Sequence, residues 1–143
     1  MKRPAVVDTN VVVSGILTAR RESPTARIVD AMLNGGFRFL ISVELLAEYR
    51  EVLLRPKISR RHGLSPSEVD IILADIAAAG AVIEVEPPPA GSGKGGDDHL
   101  WRILARDASA VLVTGDRELF DRKAGSRKVM SPRKFLELIE LQS

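Results

Sequence analysis

The chain has 143 residues, of which 45% are hydrophobic and 28% charged, with a formal net charge of +2. This length suits one domain spanning residues 1–143 with a full core, and the absence of cysteine excludes disulfides and thiolate metal sites. No apolar run approaches the ~20 residues of a membrane span. Asp8 interrupts the run after the basic start Met1-Lys2-Arg3-Pro4 before a signal-peptide core can form, so the expected setting is a reducing cytoplasm with no membrane partner.

Ala5-Val6-Val7 reads as a short strand buried on both faces that stops at Asp8. A short helix is expected from Asn10 to about Leu17, because Gly15 would weaken a strand. Ser23-Pro24 supplies the cap and first residue of a second helix, with the stripe Ile28, Val29, Met32 and Leu33, stopped by Gly35-Gly36. Phe37 to Ile41 is a second strand candidate. Ser42 caps a third helix that ends before Pro56, and residues 57–63 read as a basic connector.

Ser65-Pro66-Ser67-Glu68 opens the next helix, which ends at Gly80, and Ala81 to Val85 is a third strand. Residues 87–96 are a loop rich in Pro and Gly. Asp97-Asp98 then opens a helix with Leu100, Trp101, Leu104 and Ala105 at helical spacing. Residues 110–114 form the clearest strand and end at Gly115-Asp116, before a short helix through Phe120. Lys128-Val129-Met130 is a small last strand, and Ser131-Pro132 caps the final helix. This alternation predicts an α/β fold: a three-layer α/β/α sandwich around a central parallel sheet of four to five strands.

Asp8 and Asp116 fall at the carboxyl ends of predicted parallel strands, where open α/β sheets bind ligands. Asp98 opens a helix that starts from the same rim, and Glu48 lies inside the third helix. Each acid also has a plainer reading: Asp8 and Asp98 as helix caps, Asp116 as a turn residue, Glu48 as part of a solvated stripe with Glu44 and Glu51. Carboxylates gathered on one rim repel unless a cation neutralises them. An oxygen-rich donor set with no cysteine favours Mg²⁺ or Mn²⁺ over zinc. Such an ion would activate water and stabilise charge in phosphodiester hydrolysis.

The combination of Val6-Val7-Asp8-Thr9-Asn10, Ser42 through Glu48-Tyr49, Asp98 with Ala105, and Leu112-Val113-Thr114-Gly115-Asp116 resembles the PIN-domain ribonucleases, and among them the VapC-like toxins of toxin–antitoxin pairs. The resemblance implies catalytic roles for Asp8, Glu48, Asp98 and Asp116, with Asp8 and Asp98 as direct metal ligands. It implies that Asn10 and Thr114 support the acids through hydrogen bonds. It also implies Mg²⁺- or Mn²⁺-dependent cleavage of single-stranded RNA, a small antitoxin protein as partner, and a homodimer. The run before the third acid departs from the family pattern, which leaves Asp97 as the competitor to Asp98.

Residues 91–96 fail the Walker pattern because no Ser or Thr follows Lys94. Lys94, Arg55, Lys57, Arg60 and Arg61 are candidate RNA contacts, and a second basic group comprises Arg117, Arg122, Lys123, Arg127 and Lys128. His62 and His99 lack ligand partners at metal spacing, and His99, beside Asp98, reads as a surface histidine rather than one that approaches substrate. Two alternatives stand beside the nuclease reading. One is a catalytically silent PIN-like module that binds RNA or a partner protein; the other is a phosphatase or nucleotide-binding α/β domain using the same rim.

Overall fold

The computed structural model describes the backbone of residues 3–85, 98–122 and 129–142, and the side chains of these residues apart from 98, 120–122 and 142. The elements in chain order are β1 (Ala5–Val7), α1 (Thr9–Leu17), α2 (Pro24–Asn34), β2 (Leu40–Ile41), α3 (Val43–Leu53), α4 (Pro56–His62), α5 (Pro66–Ala79), β3 (Ala81–Val82), α6 (Asp98–Leu104), β4 (Val111–Val113), α7 (Arg117–Arg122), β5 (Val129–Met130) and α8 (Pro132–Gln142).

All residues of β1 and β4 are buried, as parallel strands covered on both faces require. They pair in the register Ala5–Val111, Val6–Leu112 and Val7–Val113, and β5 adds to the far side of β4. On the other side, β2 and β3 form a separate parallel pair. A parallel bridge between Ala5 and Phe39 joins the two sheets, with the Ala5 N–H donating to the Arg38 carbonyl at 3.0 Å. The strands therefore run β3-β2-β1-β4-β5, three in one hydrogen-bonded sheet and two in the other. With helices packed against them, this is the expected α/β/α fold.

The core gathers around the two central strands. Val6, Val12, Ile28, Met32, Ile41, Leu45, Ile76, Leu100, Ile103 and Leu112 are fully buried. Each such side chain contributes roughly 1.5–3 kcal/mol of transfer free energy. The helices start where their caps lie. Ser23, Ser42 and Ser65 accept from the backbone N–H groups of Ala26, Leu45 and Glu68, and Ser65 with Glu68 completes a reciprocal capping box.

One connection differs from expectation. Residues 57–63 are not simply a basic connector: Pro56 to His62 form α4, with Pro56 in the first turn and Gly63 closing it at φ 68°. No residue of α4 is fully buried, so its helicity leaves no apolar stripe to read. Its end is held by His62, whose Nε2 lies 2.8 Å from the Leu53 carbonyl and whose Nδ1 accepts from the Leu64 N–H at 2.9 Å. The expected strands are also shorter than their apolar runs, although the Ile83 N–H just past β3 still donates to the Ile41 carbonyl at 2.9 Å. Among the described residues, no helix is long and apolar enough to cross a membrane.

Candidate active site

Because Val7 pairs with Val113, the next residue of each strand emerges side by side at the carboxyl edge. Those residues are Asp8 and Thr114, 6% and 0% exposed. The Thr114 hydroxyl donates to Asp8 Oδ2 at 2.7 Å. The Asn10 amide donates to the same oxygen at 3.2 Å and to Thr114 Oγ1 at 3.3 Å, while Asn10 Oδ1 accepts from the Gly115 N–H at 3.0 Å. Asp8 Oδ1 accepts from the Thr9 N–H at 2.7 Å and caps α1. The two readings of Asp8 are therefore compatible: one oxygen caps the helix while the other meets the neighbouring strand. The positive end of α1 also favours the ionised carboxylate.

Asp116 follows by two residues. Its N–H donates to Thr114 Oγ1 at 3.0 Å, and its Oδ1 accepts from the Glu118 N–H at 3.0 Å at the start of α7. It is half-buried and faces the same cleft as Asp8. Glu48 arrives from α3. The stripe of acids on that helix divides: Glu44 is 60% exposed and pairs with Arg102 at 3.0 Å, Glu51 is 70% exposed and pairs with Arg55 at 3.3 Å, whereas Glu48 turns inward at 34% exposure. Glu48 Oε2 accepts from the Thr9 hydroxyl, and Oε1 lies 3.3 Å from His99 Nε2. Thr9 thus touches both acids, with its backbone on Asp8 and its hydroxyl on Glu48.

Asp8, Glu48 and Asp116 line one cleft of about 910 Å³ together with Thr9, Asn10, Glu51, Arg55 and Arg61. Three chain segments distant in sequence thus bring carboxylates to one hollow with two cations on its wall. Lys57 and Arg60 are exposed on α4 outside that lining. Asp98 is the first residue of α6, which packs against β1 and β4, and its side chain lies outside the described residues. Asp97, Lys94, Lys123, Arg127 and Lys128 also lie outside them.

The donor set is all oxygen, which suits a hard divalent cation. Among the described residues, no three acidic or histidine side chains form a metal-holding group. Mg²⁺ commonly binds one or two carboxylates and keeps several waters, so an open, oxygen-lined cleft fits that ion without a closed protein cage.

Sequence reasoning missed two site residues and misplaced a third. Thr9 and Tyr49 sit within motifs that were read for their neighbours. Tyr49 is 1% exposed and its hydroxyl donates to the Val7 carbonyl, fastening α3 beneath the end of β1. His99 is not a surface histidine but 6% exposed, and four residues before buried Ile103 it continues the inner stripe of α6.

Burial first, then the nearby Asp8 and Glu48 charges, hold the Tyr49 phenol protonated well above its usual range. Tyr49 is the only tyrosine, so the phenolate absorbance band reports it alone. The folded state keeps a proton that the unfolded chain loses near pH ~10. The associated stability is therefore present below pH ~10 and lost above it. In an alkaline titration the band is expected to appear together with unfolding; a reversible native titration near pH ~10 would contradict this environment.

The family model described as "PIN domain" matches residues 4–118, a span from just before β1 into α7. No curated protein matches the chain.

Proposed function

Since the chain belongs to the PIN-domain family, whose members are generally nucleases that use divalent metals, we propose that it is a Mg²⁺- or Mn²⁺-dependent endoribonuclease that cleaves single-stranded RNA. The observation that carries this reading is the convergence of Asp8, Glu48 and Asp116 on one cleft walled by Arg55 and Arg61. A bound ion would activate a water and stabilise charge on the phosphate and leaving oxygen. Asp8 and Asp98 would hold it, as the sequence resemblance implies. Glu48 and Asp116 would orient or deprotonate the water.

The supporting residues have separate tasks. Thr114 and Asn10 donate to one Asp8 oxygen and fix the direction in which the carboxylate presents itself. Arg55 and Arg61 supply positive charge along the wall that an RNA backbone would follow, and Lys57 and Arg60 extend it over the exposed face of α4. The VapC-like resemblance extends the proposal to a toxin held in check by a small cognate protein, acting in the cytoplasm as a homodimer.

The decisive test is cleavage of a mixed single-stranded RNA pool with Mg²⁺, Mn²⁺ or EDTA. Cleavage is expected with either ion and none with the chelator. Cleavage that survives EDTA overturns the metal mechanism. Binding without cleavage under all conditions instead favours a catalytically silent module on the same fold.

A further inference from the structure

The Glu48 carboxylate is held from two sides: by the Thr9 hydroxyl of α1 on Oε2 and by His99 of α6 on Oε1 at 3.3 Å. An ionised carboxylate only accepts hydrogen bonds, so His99 Nε2 carries the hydrogen and donates. The other ring nitrogen, Nδ1, is buried with no hydrogen-bond partner among the described residues. A buried polar atom without a partner opposes folding, and an apolar side chain of similar size would avoid that penalty. The imidazole is thus poorly explained as a core filler, and its one polar contact among the described residues is with an acid of the cleft.

We propose that His99 is a positioning residue, whose Nε2–H fixes the rotamer of Glu48 so that its carboxylate faces the cleft it shares with Asp8. The inference rests on the nuclease reading above and adds to it a residue that couples α6 to α3. Both Glu48 oxygens are engaged by protein donors. With one donor on each oxygen, the carboxylate keeps lone pairs free toward the cleft, and its orientation would decide whether a cleft-bound ion or that ion's water is held or lost. Because His99 follows Asp98 directly, the same turn of α6 that carries one proposed metal ligand also steers an acid on another helix.

The test compares wild type, His99→Leu and His99→Gln in the full chain by three readouts: melting temperature without metal, Mn²⁺ affinity by calorimetry, and kcat and KM on the RNA pool. Leu fills the space without a donor, and Gln restores an N–H. For His99→Leu the metal-free melting temperature is expected to be unchanged or higher. Mn²⁺ affinity and kcat should each fall about 10–100-fold, with KM for RNA little changed, and His99→Gln should recover most of the loss. A purely structural role predicts the reverse: a lower melting temperature for His99→Leu, with activity falling only as folded protein is lost. That result, wild-type Mn²⁺ affinity in His99→Leu, failure of Gln to rescue, or no Mn²⁺ binding by wild type each overturns the inference. If wild type binds Mn²⁺ with this pattern of variants but cuts no RNA, the nuclease reading fails while the role of His99 stands.

Discussion

Asp8→Asn is expected to lower metal-dependent RNA cleavage by at least about a hundredfold while the protein remains folded. The substitution keeps the shape of the side chain and removes its charge. Asn is as good a helix cap as Asp, so the bond from the Thr9 N–H survives. The strand side changes more. Oδ2 now accepts from both the Thr114 hydroxyl and the Asn10 amide, and an amide nitrogen in its place can accept from neither. Thr114 can rotate its hydroxyl, whereas the Asn10 amide loses an acceptor at a cost of about 1–3 kcal/mol. That is a modest change in melting temperature, measurable beside the loss of activity. Cleavage at the wild-type rate by a folded Asp8→Asn protein would remove Asp8 from the mechanism. If expression of the wild type arrests growth, the same variant should relieve that arrest, which ties the toxin proposal to the same carboxylate.

The residues that dominate this site were legible to different degrees, for physical reasons. Asp8 and Asp116 could be placed because a β-branched run ending in an acid marks the carboxyl edge of a buried strand. That Asp8 meets Thr114 follows from a register that no single strand encodes: the partner of Val7 is known only once β1 lies against β4. Glu48 shared its helical stripe with Glu44 and Glu51, and periodicity alone did not separate them. The separation comes from Thr9 and His99, residues 39 and 51 positions away, which draw one acid inward. Thr9 itself was hidden because a threonine next to a helix cap has an ordinary local explanation.

His99 and α4 depart from the sequence expectation for opposite reasons. His99 lies beside two acids at a helix start, a setting that suggests solvent, although its spacing to Ile103 carried the contrary signal. In α4 the composition Pro-Lys-Ile-Ser-Arg-Arg-His conceals a helix that is nowhere fully buried, with Ile58 alone among its apolar side chains packed against the core. Its capping signals, Pro56 at the start and Gly63 at the end, were in plain sight and outweighed by charge. The consequence is functional. A helix holds Arg55, at its cap, and Arg61 about one and two-thirds turns on at a fixed separation along the cleft, which a flexible connector would not.

Gly15→Ala is expected to destabilise the fold by about 1–3 kcal/mol, lowering the melting temperature by roughly 3–10 °C. On helix propensity alone the change should help, since Ala is favoured over Gly by about 0.5–1 kcal/mol inside a helix. Packing opposes it. A Cβ at position 15 would stand 2.5 Å from the Thr25 carbonyl oxygen and 2.5 Å from Val29 Cγ2. Val29 is buried and β-branched within α2, so its methyl has little rotamer freedom, and the carbonyl belongs to the α2 backbone and moves only with that helix. The missing side chain is what lets α1 and α2 approach so closely, and the surrounding bonds reinforce the contact: the Ser14 and Thr25 hydroxyls lie 3.1 Å apart, and Arg21 donates to the Gly15 carbonyl at 2.8 Å. The same glycine that marks this segment as a poor strand therefore sets the spacing of the helix that begins at Asp8. Thermal unfolding of Gly15→Ala decides the matter: a melting temperature at or above that of wild type would show that propensity outweighs the clash and that the two helices have room to part.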